Sequence, residues 1–91
     1  MRAERLIITG RVQGVGYRDW LVAEATRLGL TGWVRNLGHD QVEAVLCGAD
    51  GAVEEAVALC RQGPGWARVA GVQRFSHEAA EYADFRRLAS A

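Results

Sequence analysis

The feature that most constrains the fold is the glycine-rich stretch at residues 10–18, whose sequence is GRVQGVGYR. It follows a β-branched, strand-like run at residues 5–11 and leads into a helix-like segment that begins near Tyr17 and ends at Gly29. Glycine reaches backbone angles closed to other residues, so consecutive N–H groups in such a loop can point toward one ligand. The sequence therefore predicts a strand–loop–helix unit whose loop can hold an anion.

The helix behind the loop favours the same kind of ligand. The first turn of a helix offers unpaired N–H groups and the positive end of the helix dipole. Arg18 adds a planar guanidinium that can bind two oxygens of one phosphate. A plain tight connection between strand and helix is the alternative. The loop has neither G-x-x-x-x-G-K-[ST] nor G-x-G-x-x-G spacing, so a nucleotide is not implied.

The middle of the chain predicts a β-hairpin. Its strands are expected at residues 30–36 and 41–47, joined by the turn-rich residues 37–40. Alternation along the second of these strands puts one set of side chains on the face that should meet the helices, namely Val42, Ala44 and Leu46. The opposite face then carries Glu43, Val45 and Cys47.

A second helix and a fourth strand are predicted next. The helix is expected at residues 51–62, capped by Asp50, with the apolar stripe Val53, Ala56, Val57 and Cys60. It should end at residues 63–65, where the sequence is GPG. The strand at residues 66–75 needs a bulge near Gly71, because its two valines on either side are three residues apart instead of two.

The order of these elements predicts an α+β fold. Residues 76–81 are expected to form a loop and residues 82–88 a short extra C-terminal strand with Phe85 facing inward. The pattern strand, helix, strand, strand, helix, strand is typical of a ferredoxin-like sandwich, with an antiparallel sheet and two helices on one face. Residues 1–91 are expected to form a single domain.

Composition excludes several functions. The 11 acidic and 11 basic residues cancel, so no broad basic surface for nucleic acid or anionic lipid is indicated. Every basic residue is arginine, which excludes lysine Schiff-base chemistry. The charged N-terminus does not resemble a signal peptide, and no apolar run is long enough to span a membrane, so a cytoplasmic protein is expected. Cys47 and Cys60 lack metal or redox spacing, which favours two thiols over a disulfide.

Two motifs together resemble the paired signature of the acylphosphatase family. They are GRVQGVGYR at residues 10–18 and GWVRN at residues 32–36, and the likeness extends from about Arg5 to Leu88. Tyr17 stands where phenylalanine is common in the family, and Asp40-Gln41 replaces an Asp-Gly often seen in the hairpin turn.

The resemblance implies a ferredoxin-like hydrolase that cleaves the carboxyl–phosphate bond of acyl phosphates. It assigns Arg18 to phosphate binding and transition-state charge, and Asn36 to positioning the attacking water. It assigns the cradle for the phosphate to the backbone N–H groups of Gln13, Gly14, Val15, Gly16 and Tyr17. The only expected partner is the small-molecule substrate, and the protein is expected to be a monomer.

The side chains present fit this chemistry without a metal or cofactor. An acyl phosphate expels a carboxylate whose conjugate acid has a pKa of about 4, so no general acid is needed. An alkyl phosphate would expel a far more basic alkoxide, for which the sequence shows no metal cluster and no obvious acid. The acceptor of the water's proton is open, since asparagine cannot serve and a substrate oxygen can.

Plainer interpretations exist for the individual residues. Without the family resemblance, Asn36 before a turn is typical of an Asx turn. Asp19 is expected to stabilise the first turn of its helix rather than act as a base, and Trp33 to pack rather than recognise substrate. Gly32 can allow close approach of the glycine-rich loop. His39 and His77 are expected to be solvated.

Parts of the sequence are also compatible with two other functions. The first is a non-catalytic anion-binding module, as in acylphosphatase-like domains attached to larger carbamoyl-transfer proteins. The second is RNA binding, which the same element order would permit. The aromatic RNA-recognition run K/R-G-F/Y-G/A-F-V-x-F/Y is absent, however, and the net charge is zero, so no nucleic-acid partner is expected.

Overall fold

The structure is a computed structural model that describes residues 1–91. Its seven elements, in chain order, are β1 (Arg2–Arg11), α1 (Tyr17–Arg27), β2 (Thr31–Leu37), β3 (Gln41–Gly48), α2 (Asp50–Gln62), β4 (Arg68–His77) and β5 (Phe85–Arg87). The predicted α+β, ferredoxin-like arrangement is confirmed. No helix is both long and apolar enough to cross a bilayer.

The five strands form one sheet in the order β4-β1-β3-β2-β5. All pairs are antiparallel except β2 with β5, which run parallel. The antiparallel sheet predicted for the first four strands is confirmed, and the short extra strand, whose direction the sequence does not predict, adds to its edge in parallel. The reason lies in the segment after β4, which crosses the sheet: the Cys47 thiol lies 3.6 Å from the Ala80 carbonyl oxygen, and Gly32 N–H donates to Asp84. The chain thus reaches β2 at its starting end and must continue in the same direction.

The hydrophobic core lies between one face of the sheet and the two helices. Alternate residues of β3 enter it, as predicted, and so does the whole apolar stripe of α2. Phe85 of β5 is also buried there. The seventeen buried core residues include Leu6, Ile8, Val12, Tyr17, Leu21, Val34, Val42, Ala44, Leu46 and Val53. The apolar side chains that the two-residue repeat of the strands and the helical spacing of α2 place on one face thus pack together in one layer.

The helix ends agree with the sequence prediction in all but one respect. α1 ends at Arg27, and the N–H groups of Gly29 and Leu30 donate back to Thr26 and Ala25, which pairs the last carbonyls. α2 ends at Gln62, before Gly63. The predicted capping role of Asp50 is wrong. The N-cap is Ala49, and Asp50 is the first helical residue, where its carboxylate faces the positive end of the dipole.

The predicted bulge in β4 is confirmed. Thr9 of β1 pairs with Gly71 whereas Gly10 pairs with Val69, so Ala70 is the extra residue and both neighbouring valines reach the core. β4 runs from Arg68 to His77, two residues later than predicted, so the connecting loop lies at residues 78–84 instead of 76–81. β5 is shorter than predicted.

The face of the sheet away from the helices holds one buried carboxylate. Glu43 of β3 accepts hydrogen bonds from Arg5 Nε at 2.6 Å and from Arg35 Nε at 2.7 Å. The two guanidinium groups in turn lie over the rings of Phe75 and Trp33, at 5.3 and 4.9 Å. Burial alone would raise the pKa of Glu43, but the two arginine bonds outweigh it and hold the pKa below its usual range.

Candidate active site

The glycine-rich loop lies between the end of β1 and the start of α1. Gly14 and Gly16 have φ of 72° and 81°, and a Cβ at either would meet nothing within 4 Å. Glycine is required here by the backbone conformation and not by crowding. None of the backbone N–H groups from Gln13 to Tyr17 donates a hydrogen bond within the protein, and no side chain caps the start of α1. The loop therefore presents a run of free donors.

Arg18 lies in the first turn of α1, directly after this loop. Its side chain is partly exposed, and no carboxylate lies within ion-pair distance of its guanidinium. The neighbouring acid does not neutralise it, because Asp19 accepts a hydrogen bond from Arg87 Nη1 at 2.9 Å. Asp19 sits in the first turn of the helix, as predicted. Arg18 thus remains free to bind an anion at the helix start.

Asn36 lies near the end of β2, at the same end of the sheet as the loop. It lies two residues after buried Val34 in the same strand, so its side chain faces the same side of the sheet, the side that carries α1. Its Oδ1 atom is buried and has no hydrogen-bond partner in the protein. A buried amide oxygen without a partner carries a free-energy cost that a bound water or ligand would relieve.

The Gln13 side chain joins the loop to the turn that follows Asn36. Its Nε2 donates to the carbonyl oxygens of Gly38 at 3.1 Å and Gln41 at 2.8 Å. The Gly10 N–H also donates to the Asp40 carbonyl, at 3.3 Å. These bonds hold the free loop donors and the end of β2 together. Sequence reasoning assigned only the backbone N–H of Gln13, because no spacing rule indicates which carbonyls a loop amide will reach.

The end of β2 is also held from its outer side. The Ala91 N–H donates to the backbone oxygen of Asn36 at 3.0 Å, and the Gly38 N–H donates to the Ala91 oxygen at 3.2 Å. The backbone at Asn36 and just after it is therefore fixed by a chain segment that is distant in sequence.

Tyr17 anchors the far end of the loop. It is buried, and its hydroxyl donates to the Cys60 carbonyl at 2.8 Å. That carbonyl would normally accept from the residue four positions later in the helix, but this residue is Pro64, which has no N–H. The Tyr17 hydroxyl therefore supplies the donor that this carbonyl would otherwise lack.

The two cysteines are free thiols, as predicted, and both are fully buried. Burial raises the pKa of the Cys60 thiol to about 12 and also raises the pKa of Tyr17, so both groups stay neutral at physiological pH. Thiolate chemistry at Cys60 is thereby disfavoured.

Neither histidine is enclosed within the candidate site. His39 and His77 are exposed, and no three His, Cys, Asp or Glu side chains come together as a possible metal site. The proposed role of Gly32 in loop approach is wrong, since a Cβ there would lie 1.9 Å from the Val45 carbonyl oxygen of the neighbouring strand. A cavity of about 330 Å³ beside the paired strands β2 and β5 is lined by Trp33 and by Tyr82 of the preceding segment among others, and none of the candidate site residues lines it.

Comparison with known proteins identifies the family. The acylphosphatase family model matches residues 4–87. The chain belongs to the acylphosphatase family. The resemblance carried by the two motifs is thereby confirmed, and with it the prediction of an acylphosphatase-type enzyme.

Individual acylphosphatases resemble the chain over most of its length. The acylphosphatase of Acidiphilium cryptum is 50% identical over 82 residues, which are 89% of this chain and 90% of the relative. The acylphosphatase structure from Coxiella burnetii is 34% identical, with a TM-score of 0.92 over 96% of this chain and 92% of that one. HypF of T. kodakarensis also contains a similar unit, 26% identical with a TM-score of 0.86, but this unit makes up only 12% of that chain.

Proposed function

We propose that the chain hydrolyses the carboxyl–phosphate bond of acyl phosphates without a metal ion. Backbone N–H groups from Gln13 to Tyr17 and the Arg18 guanidinium bind the phosphate, and Asn36 positions the attacking water. The observation that carries this proposal is the run of unpaired loop N–H groups, which ends at an arginine without a carboxylate partner.

The phosphate fits this loop for electrostatic reasons. Phosphoryl transfer spreads negative charge over three equatorial oxygens, so the protein mainly positions and neutralises them. Fixed N–H donors and the start of a helix do this with little reorganisation. Arg18 supplies the only full positive charge in the segment from Gln13 to Arg18.

Asn36 suits the nucleophilic water because its amide both donates and accepts hydrogen bonds. The buried, unpartnered Oδ1 supports this role, since it can accept one hydrogen of a water held beside the phosphate. Asn36 cannot remove a proton, so the proton passes to a phosphate oxygen of the substrate. The C–O–P bridge breaks at phosphorus, and the products are a carboxylate and inorganic phosphate.

The leaving group explains why this small set of residues is sufficient. A carboxylate leaves without prior protonation, because its conjugate acid has a pKa of about 4. The side chains around the loop offer no general acid for an alkoxide, since Asp19 is paired with Arg87 and the buried Tyr17 hydroxyl donates its hydrogen to the Cys60 carbonyl. Selectivity for acyl phosphates over alkyl phosphates follows.

The test is hydrolysis of benzoyl phosphate in the presence of EDTA, with an alkyl phosphate as the control substrate. Arg18→Ala should lower kcat/KM by about 10² to 10³, as for the loss of one oxyanion-hole donor. Arg27→Ala, an exposed arginine at the other end of the same helix, is the matched control and should stay within about threefold of wild type. Asn36→Ala should lower kcat with a smaller effect on the affinity for inorganic phosphate.

The experiment also separates the alternative function. A non-catalytic phosphate-binding module is favoured by the likeness to a 12% portion of HypF, where a similar unit is part of a much larger chain. Folded wild-type protein that binds phosphate through Arg18 but leaves benzoyl phosphate intact would establish that alternative. Activity lost on chelation would refute metal independence.

A further inference from the structure

The eleven arginines divide into two groups. Seven lie within ion-pair distance of a carboxylate, namely Arg2, Arg5, Arg27, Arg35, Arg74, Arg86 and Arg87. The other four have no such partner, and they are Arg11, Arg18, Arg61 and Arg68. These four stand at the end of β1, the start of α1, the end of α2 and the start of β4. The topology places all four of these ends at the pole of the molecule that carries the glycine-rich loop.

Unpaired acids show a different distribution. Asp50 begins α2 and Glu78 follows β4, so both lie at the opposite pole. Glu81 lies in the segment between β4 and β5, and Asp40, in the β2–β3 turn, is the one side-chain carboxylate without an ion pair at the loop pole, against four arginines there. A chain of zero formal charge therefore has a positive end around its candidate active site. Such a field attracts anionic substrates and raises their association rate.

Arg11 and Arg68 have a closer relation than the other two. They are direct cross-strand partners at the end of the β1–β4 pair, so their side chains project from the same face of the sheet. Their neighbours Val12 and Val69 pack into the core, which places the two exposed arginines on the face away from the helices. Like charges directly opposite each other destabilise a sheet. An anion bound between them would relieve this repulsion.

We propose that Arg11 and Arg68 form a subsite for a second anionic group, such as a carboxylate, carried by the acyl part of the substrate. The proposal rests on the function proposed above and names the substrate class of that site. Arg11 is two residues before Gln13, the first N–H group of the phosphate cradle, so the pair borders the loop. A guanidinium binds a carboxylate through two parallel N–H donors, and two such groups surround one anion.

Rigid aromatic substrates test this subsite. The probes are 3- and 4-carboxybenzoyl phosphate, each compared with its uncharged carboxamide analogue and with benzoyl phosphate. The proteins are wild type, Arg11→Gln/Arg68→Gln, and Arg61→Gln, which removes an unpaired arginine of the same pole on α2. Affinities for the corresponding acylphosphonates, which cannot be hydrolysed, are measured by calorimetry beside kcat/KM.

Wild type should favour one carboxybenzoyl phosphate over its carboxamide by about tenfold at low ionic strength, as expected for two exposed ion pairs. The double variant should reduce this ratio to about one, while its kcat/KM for benzoyl phosphate falls by less than about threefold. Arg61→Gln should keep the wild-type ratio. About 0.5 M salt should lower the ratio, because exposed charges are screened.

An equal carboxylate-to-carboxamide ratio in wild type and the double variant would refute the subsite. An equal fall of this ratio in Arg61→Gln would also refute it, because the preference for a carboxylate would then come from the positive charge of the whole pole and not from the Arg11–Arg68 pair. The phosphonate affinities keep this question apart from turnover. Protein that binds the phosphonates but hydrolyses none of the acyl phosphates would refute the proposed function, and the affinity ratio would still decide the subsite.

Discussion

Tyr17→Phe should destabilise the protein because it leaves one buried carbonyl group, that of Cys60, without a hydrogen-bond donor. The Tyr17 hydroxyl is the donor to the buried end of α2, at 2.8 Å from the Cys60 oxygen, and Pro64 cannot replace it. Removing the donor leaves a buried carbonyl unsatisfied, which costs about 1–3 kcal/mol. A loss of about 2 kcal/mol in a domain of this size lowers Tm by roughly 8 to 16 °C. The ring itself, which packs edge-on against Trp20, is kept.

The measurement is urea unfolding followed by circular dichroism, with a thermal scan. Tyr82→Phe is the matched control, since its hydroxyl makes no hydrogen bond within the protein, and it should stay within about 0.5 kcal/mol of wild type. A Tyr17→Phe protein as stable as the control would refute the reasoning, because the Cys60 carbonyl would then have another donor. Its kcat should change by less than about threefold, since the backbone N–H of residue 17 remains.

Two further predictions concern side chains that hold distant segments together. Gln13→Met should lower kcat/KM for benzoyl phosphate by about 10- to 100-fold, because the loop loses both bonds to the β2–β3 turn; unchanged kinetics in the folded variant would contradict this, and Gln73→Met on β4 is the control. Glu43→Gln should cost about 1–3 kcal/mol at pH 7, where the carboxylate binds Arg5 and Arg35. Folding lowers the pKa of Glu43, so this stability is present above its unfolded pKa and is lost as pH falls through the folded value. The difference in unfolding free energy between wild type and variant, measured by urea unfolding, should therefore narrow below about pH 4. A difference that is constant from pH 7 to pH 3 would disprove the assignment.

Local patterns in the sequence were sufficient for most of the fold. Three local patterns predict which side chains share a face: the two-residue repeat in β3, the helical stripe of α2 and the three-residue spacing of the valines in β4. Residues 10–18 and 32–36 were sufficient for the family, because glycine positions and an arginine at a helix start are local requirements of a backbone and an anion. These features depend on neighbours in the chain, so they can be read without knowing the fold.

Tertiary structure decided the features that depend on distant segments. The parallel pairing of β5 follows from where the preceding segment crosses the sheet, and the bonds from Gln13 to Gly38 and Gln41 span 25 and 28 positions. The unpartnered Asn36 oxygen and the opposed pair Arg11 and Arg68 are likewise consequences of packing and register. The sequence by itself determined which residue types and local conformations are present. Which groups meet, and which stay free for a ligand, was decided by packing, because hydrogen bonds and charges act at distances of a few ångströms whatever their separation along the chain.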